Sequence, residues 1–136
     1  MILGFTGSQR APSVEQFDAL HELVIRLAPA EAHHGDCIGS DYVFHHICLE
    51  LNIPVILHPP IDPKAQAFCE FAHVVLEAKE YLVRNKDIVN ESDVVIACPP
   101  TFVELQRSGT WSTWRYASKI EKETYIVYPN GKVQCG

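Results

Sequence analysis

No apolar run in this 136-residue chain approaches the length of about 20 residues that a membrane-spanning helix needs. The first residues, MILGFTGSQR, hold four apolar side chains in five positions but no basic leader, so neither a secretory signal nor a span is expected there. C-x-x-C pairs are also missing. The five cysteines (Cys37, Cys48, Cys69, Cys98 and Cys135) are odd in number and scattered, which argues against a disulfide framework and for reduced thiols in a cytoplasm. No two of the seven histidines stand at i, i+4, and adjacent pairs such as His45-His46 point to different helix faces. The clustering of His33, His34, His45, His46, His58 and His73 around Asp36 and Cys37 therefore matches no metal-ligand spacing. No metal and no cofactor are expected; one or two histidines are expected to line a pocket as hydrogen-bond donors. Positive charge is scarce: the net charge is −6, and a surface of that sign repels a polyphosphate backbone, arguing against nucleic acid as a partner. Repeats and low-complexity segments are absent.

What remains is a chain of one-domain size, 47% apolar and 21% charged, enough for a sizeable core. Residues 1–5 read as a buried first strand. Ser13 stands three residues before Gln16, a capping-box spacing, and Phe17, Leu20, Val24 and Leu27 predict an amphipathic helix over roughly 14–28. Ser40 or Asp41 can cap a second helix striped by Val43, Ile47 and Leu51, and Ile53 to Leu57 is a strand. The stretch from 59 to about 79, with Pro59, Pro60 and Pro63, reads as an extended loop, and long connections in compact domains are often functional. A helix over roughly 80–91 follows. Val94 to Cys98 is a strand buried on both faces, Ser108-Gly109-Thr110 opens a helix to about 120, and Tyr125 to Tyr128 is a last strand. Asn130-Gly131 is a turn signal for a tail that folds back as a hairpin. Strands alternating with helices predict a single α/β domain with a doubly wound, mostly parallel sheet, and its first strand is expected at the centre because three ligand-facing turns must share one edge.

In such sheets ligands bind beyond the carboxyl ends of the strands, where the strand order reverses. Three polar turns fall at strand ends. The first carries Gly7, Ser8 and Arg10; glycines allow close backbone approach to a phosphate, and a helix start favours anions. The second carries Gly35, Asp36, Gly39 and Asp41, whose carboxylates suit ribose hydroxyls, although Asp41 reads equally well as a helix cap. The third pairs Ser108, Gly109 and Thr110 with Arg84, expected near the pocket rim. Together they predict a phosphate held between Gly7-Ser8 and Gly109-Thr110, its charge met by Arg10 or Arg84. Trp111, Trp114 and Tyr116 on the helix after the third turn suggest surplus apolar area, and with it a homodimer.

In order, the segments GFTGSQR, HGDCIGSD, YLVRNKDIVNESDVVIACPP and SGTWST resemble the superfamily that joins the DNA-processing Smf proteins and the LOG-type phosphoribohydrolases, the SLOG fold, over roughly residues 1–128. The resemblance implies a Rossmann-like sheet of about five parallel strands and a nucleotide-type ligand at its carboxyl edge. LOG-type enzymes carry an arginine nine residues before the aspartate that opens the fourth strand, and Arg84 stands so to Asp93. Their P-G-G-x-G-T-x-x-E element is matched here at Pro99 and Gly109-Thr110, but the connection is longer and Thr113 stands where the glutamate would. The leading expectation is a binding protein for a nucleotide or nucleotide derivative, acting as sensor or accessory factor. The alternative is an N-glycoside hydrolase or transferase on nucleoside monophosphates, with Arg84 on the phosphate and Asp36, Asp41 or Glu104 as the carboxylate such cleavage needs.

Overall fold

The computed structural model describes residues 1–136 as a seven-stranded sheet between two helical layers. In chain order the elements are β1 (Ile2–Gly7), α1 (Val14–Leu27), β2 (Glu31–His34), α2 (Ser40–Glu50), β3 (Val55–Leu57), a 3-10 turn (Pro63–Ala65), β4 (Val74–Val75), α3 (Tyr81–Glu91), β5 (Val94–Cys98), α4 (Gly109–Lys119), β6 (Glu123–Val127) and β7 (Val133–Cys135). The strand order is β4-β3-β2-β1-β5-β6-β7, with β1 central as expected and every pairing parallel except β6 with β7. The sheet has seven strands rather than five. One addition is the two-residue β4 inside the 59–79 stretch, and the other is the hairpin strand that follows Asn130-Gly131.

The pleat sorts the side chains. Leu3 and Phe5 of β1 join Leu20, Leu23 and Val24 of α1 and Phe44 and Ile47 of α2 in one cluster, with the Phe5 and Phe44 rings stacked 4.3 Å apart. Val89 of α3 and Ala117 of α4 pack on Val95 from the opposite face. β2 carries a weak strand signal because His33 and His34 occupy positions where aliphatic residues usually sit, yet Ala32 and both histidines are buried. On α4, whose aromatic side chains suggested a dimer, the rings are partly covered within the chain. Trp111 is buried and its indole N–H donates to the Thr101 hydroxyl at 3.0 Å, while Trp114 and Tyr116 are half-buried. The two most exposed aromatic rings are elsewhere, at Phe68 and Phe71 of the 59–79 strap.

The capping spacing at Ser13 is real, since its hydroxyl accepts from the Gln16 N–H at 3.1 Å, but Gln16 does not reciprocate. Its buried amide reaches across the carboxyl edge instead, donating to the carbonyls of Pro99 (3.0 Å) and Val127 (2.7 Å). One side chain on α1 thus ties the ends of β5 and β6 together. Gln16→Leu keeps the volume and strands both buried carbonyls, each costing about 1–3 kcal/mol. Urea unfolding should show a loss of about 2–4 kcal/mol with unchanged m; a loss below about 0.5 kcal/mol would mean the tie is not structural.

Candidate functional site

Strand order reverses between β1 and β5. The chain winds outward through β2, β3 and β4, then returns to place β5 on the other flank of β1, with Gly7 paired to Cys98 at the carboxyl end. A crevice is expected at that junction. The junction itself is bordered by the 7–13 and 99–108 turns and by the N-terminus of α4.

Two of the three turns are locked to each other. The Ser40 N–H donates to the Ser8 carbonyl (3.0 Å), and the Ser40 hydroxyl to the Arg10 carbonyl (2.9 Å). Gly39, at φ +85, is the N-cap of α2, and a Cβ there would collide with the Gln9 carbonyl, so only glycine fits this approach. Neither Ser40 nor Asp41 caps α2 by its side chain. Ser8 accepts from the Arg10 N–H at 2.9 Å, leaving the Arg10 side chain exposed. At the third turn the Ser108 hydroxyl accepts from the Trp111 N–H (3.3 Å), so the amides of Gly109 and Thr110, which have no partner inside the helix, open toward the edge.

Arg84 corrects the expectation of a rim residue: it is 3% exposed. Its guanidinium lies against Gly35, where any Cβ would overlap it, and over the Tyr81 ring at 4.5 Å; Tyr81 in turn abuts Gly109. Nη1 donates to the carbonyls of Gly35 (2.6 Å) and His58 (3.5 Å), Nη2 contacts Cys37 Sγ (3.3 Å), and Nε has no partner. None of these acceptors is an anion, and Arg84 forms no salt bridge. The nearest acid in this cluster is Asp41, buried and accepting from the Cys37 N–H at 3.2 Å. Burial pushes its carboxyl up to about 6, against the downward pull of the Arg84 charge and the amides of Cys37 and Gly35.

Asp36 is 2% exposed and in the left-handed region at φ 56. One carboxylate oxygen accepts from the Cys69 N–H (2.8 Å), the other from the Gln66 amide (3.1 Å), so Asp36 anchors the 59–79 strap. Glu104 is held by Arg115 at 2.8 Å, and the Thr113 hydroxyl donates to the Gly109 carbonyl. The structure therefore brings together Arg84, Gly35, Asp41 and Gly109, and separately Gly7, Ser8 and Arg10 with Gly39. Asp36 serves the strap.

Histidine pairs occupy both faces of β2, a feature the spacing argument missed because the partners come from different elements. On the α2 face the Asp36 N–H donates to His34 Nδ1 (3.0 Å), His34 and His45 share a 2.9 Å bond, and the other His45 nitrogen meets the Glu70 carbonyl (2.6 Å). Every nitrogen is satisfied by neutral rings, and burial lowers the pKa of both. On the α3 face His33 meets His58 and Glu31. All five cysteines are free; burial raises the thiols of Cys37, Cys48, Cys69 and Cys98 and keeps them protonated.

No protein-family model matches the chain, nor does any curated protein sequence. Solved structures do. The molybdenum cofactor binding protein from the phototrophic bacterium Rippkaea orientalis is 19% identical with a TM-score of 0.71, the match covering 93% of this chain and 76% of that one. TM1055, a structural genomics target, is 18% identical with a TM-score of 0.67, covering 90% and 71%. No helix is long and apolar enough to cross a membrane. At these identities the likeness establishes the fold, a Rossmann-like α/β domain.

Asp41 sets a pH signature. Its folded-state pKa lies above its unfolded value, so its protonated form stabilises the fold below about pH 4, and that contribution is lost as pH rises from about 4 to 6. The rise from 3.8 to about 6 corresponds to about 3 kcal/mol. Asp41→Asn should match the parent near pH 4 and exceed its stability by about 1–3 kcal/mol at pH 7. Urea titrations across this range check it; a gap that does not widen with pH would refute the buried carboxylate.

Proposed function

We propose that the chain binds a nucleotide, or a nucleotide-derived phosphorylated small molecule, in the crevice at the carboxyl ends of β1 and β5, acting as a sensor or accessory factor of SLOG type. The observation that carries this reading is Arg84, a buried cation bonded only to neutral acceptors. A buried charge without a contact counterion is costly, and an anion nearby relieves that cost. Beside it, through Tyr81 and Gly109, the first amides of α4 present partial positive charge to the same edge. Exposed Arg10 supplies a mobile cation for direct contact, and Arg84 supplies a fixed field beneath. The small-molecule reading is further supported by a structural neighbour that is itself a cofactor binding protein.

Binding is favoured over glycosidic cleavage. Thr113 offers a hydroxyl already spent on Gly109, Glu104 is paired, and Asp36 holds the strap. Asp41, with its raised carboxyl beside Arg84, is the residue through which the hydrolase or transferase alternative would have to run.

A thermal-shift panel of AMP, GMP, ADP, ATP, cyclic nucleotides and the corresponding nucleosides should raise Tm for phosphorylated members and not for nucleosides. Calorimetry on the best ligand should show Arg84→Ala weakened about tenfold or more, since an opposite charge within about 8 Å contributes roughly 2 kcal/mol at an effective dielectric of about 20, with Arg84→Lys intermediate. Arg84→Ala also leaves the Gly35 and His58 carbonyls without their donor, so affinity is measured well below its own Tm. Unchanged affinity in Arg84→Ala would refute the reading, and release of free base abolished by Asp41→Asn would establish the enzyme instead.

A further inference from the structure

The α3 face of β2 and β3 carries a second polar constellation, distinct from the crevice. His33 Nδ1, His58 Nε2 and Glu91 Oε2 converge from β2, from the residue after β3 and from the end of α3, with mutual separations of 2.8, 3.4 and 3.8 Å. A triangle with these sides has a circumradius of about 2.0 Å, so one ion can stand at ordinary zinc–nitrogen and zinc–oxygen distances of about 2.0–2.2 Å from all three atoms at once. The far nitrogen of His33, Nε2, is held by the Glu31 carboxylate at 2.7 Å. A carboxylate on the outer nitrogen fixes the tautomer whose Nδ1 lone pair, here facing His58 Nε2, can turn to a metal; metal-bound histidines almost always give their outer N–H to a carboxylate, a backbone carbonyl or water.

We propose that His33, His58 and Glu91 form a binding site for a divalent transition ion of the zinc class, with Glu31 orienting His33 and the fourth coordination position open. The opening is a cavity of about 290 Å³ that reaches His58 and Glu91 and is also lined by Glu77, Lys79, Arg84 and Asp87. Lys79 is paired there with Asp87 at 2.8 Å, and Glu77 and Glu91 outweigh the one remaining cation, Arg84, so the lining keeps a net negative charge. Three protein ligands with one exchangeable position is the pattern of sites that polarise a bound water or ligand, whereas purely structural zinc sites close all four. The opposite face of β2 provides an internal contrast. His34, His45 and Cys69 also lie close enough to share an ion. There, however, the third member is a thiol that burial keeps protonated, whereas Glu91 brings a carboxylate to His33 and His58.

Chelator-stripped protein titrated with Zn²⁺ should take up one equivalent with a rise in Tm, and Co²⁺ should give the intense visible absorption of a four-coordinate site. Glu91 is 53% exposed, so Glu91→Gln should fold as the parent does by circular dichroism. It should weaken Zn²⁺ binding by more than Glu31→Gln, for which about 10–100-fold is expected. Cys69→Ser should change neither affinity nor the cobalt spectrum. The proposal is overturned by the absence of a stoichiometric site, by unchanged binding in Glu91→Gln, or by loss of binding in Cys69→Ser, which would move the ion to the other face.

Discussion

The close approach of the Arg84 guanidinium to the backbone of Gly35 sets the positions of the surrounding groups. A side chain at residue 35 would occupy the same space, so the glycine admits a cation into the layer between α3 and the ends of β2 and β3. Once there, Arg84 bonds the carbonyls of Gly35 and His58 and lies over Tyr81, which couples three elements through one planar group. Its charge also decides the state of Asp41, where it opposes the upward push of burial on the carboxyl. Fold and candidate site are thus joined through a single buried cation that no carboxylate contacts.

The strap between β3 and α3 is the second determinant. Its Val74 and Val75 pair with β3, its two ends pair with each other at Pro60 and Lys79, and its middle is pinned by Asp36, which accepts from Cys69 and Gln66. His45 reaches the same segment through the Glu70 carbonyl. The exposed rings of Phe68 and Phe71 lie on a strap that is polar-anchored beneath, so its stability depends on hydrogen bonds to Asp36 and His45 as well as on burial.

The parts of this architecture governed by local chemistry were legible in the sequence. Helical periodicity marked α1 and α2, the uninterrupted apolar run marked β5, and Ser108-Gly109-Thr110 marked the start of α4. The requirement that three polar turns share one sheet edge placed β1 at the centre. The remainder depended on contacts between residues distant in sequence. Gln16 carries a capping pattern, but its partners, Pro99 and Val127, lie 83 and 111 residues away. Asp36 has the sequence context of a ligand carboxylate, and only the return of the strap reveals its partners. Arg84 reads as a helix-face arginine until Gly35 opens a space for it, and the histidines of β2 have meaning only once β3, α2 and α3 are beside them. Polar residues with long-range partners cannot be assigned from spacing, because spacing reports only the element they belong to.

The central claim is that the field of Arg84 and the free amides of α4 hold a phosphate at the junction of β1 and β5. Backbone amide spectra of isotopically labelled protein, titrated in parallel with AMP and with adenosine, test it at the atoms concerned. The account predicts that the Gly109 and Thr110 amide protons move downfield on saturation with AMP and stay in place with adenosine. A saturable AMP titration that shifts other amides while leaving these two unmoved would contradict it.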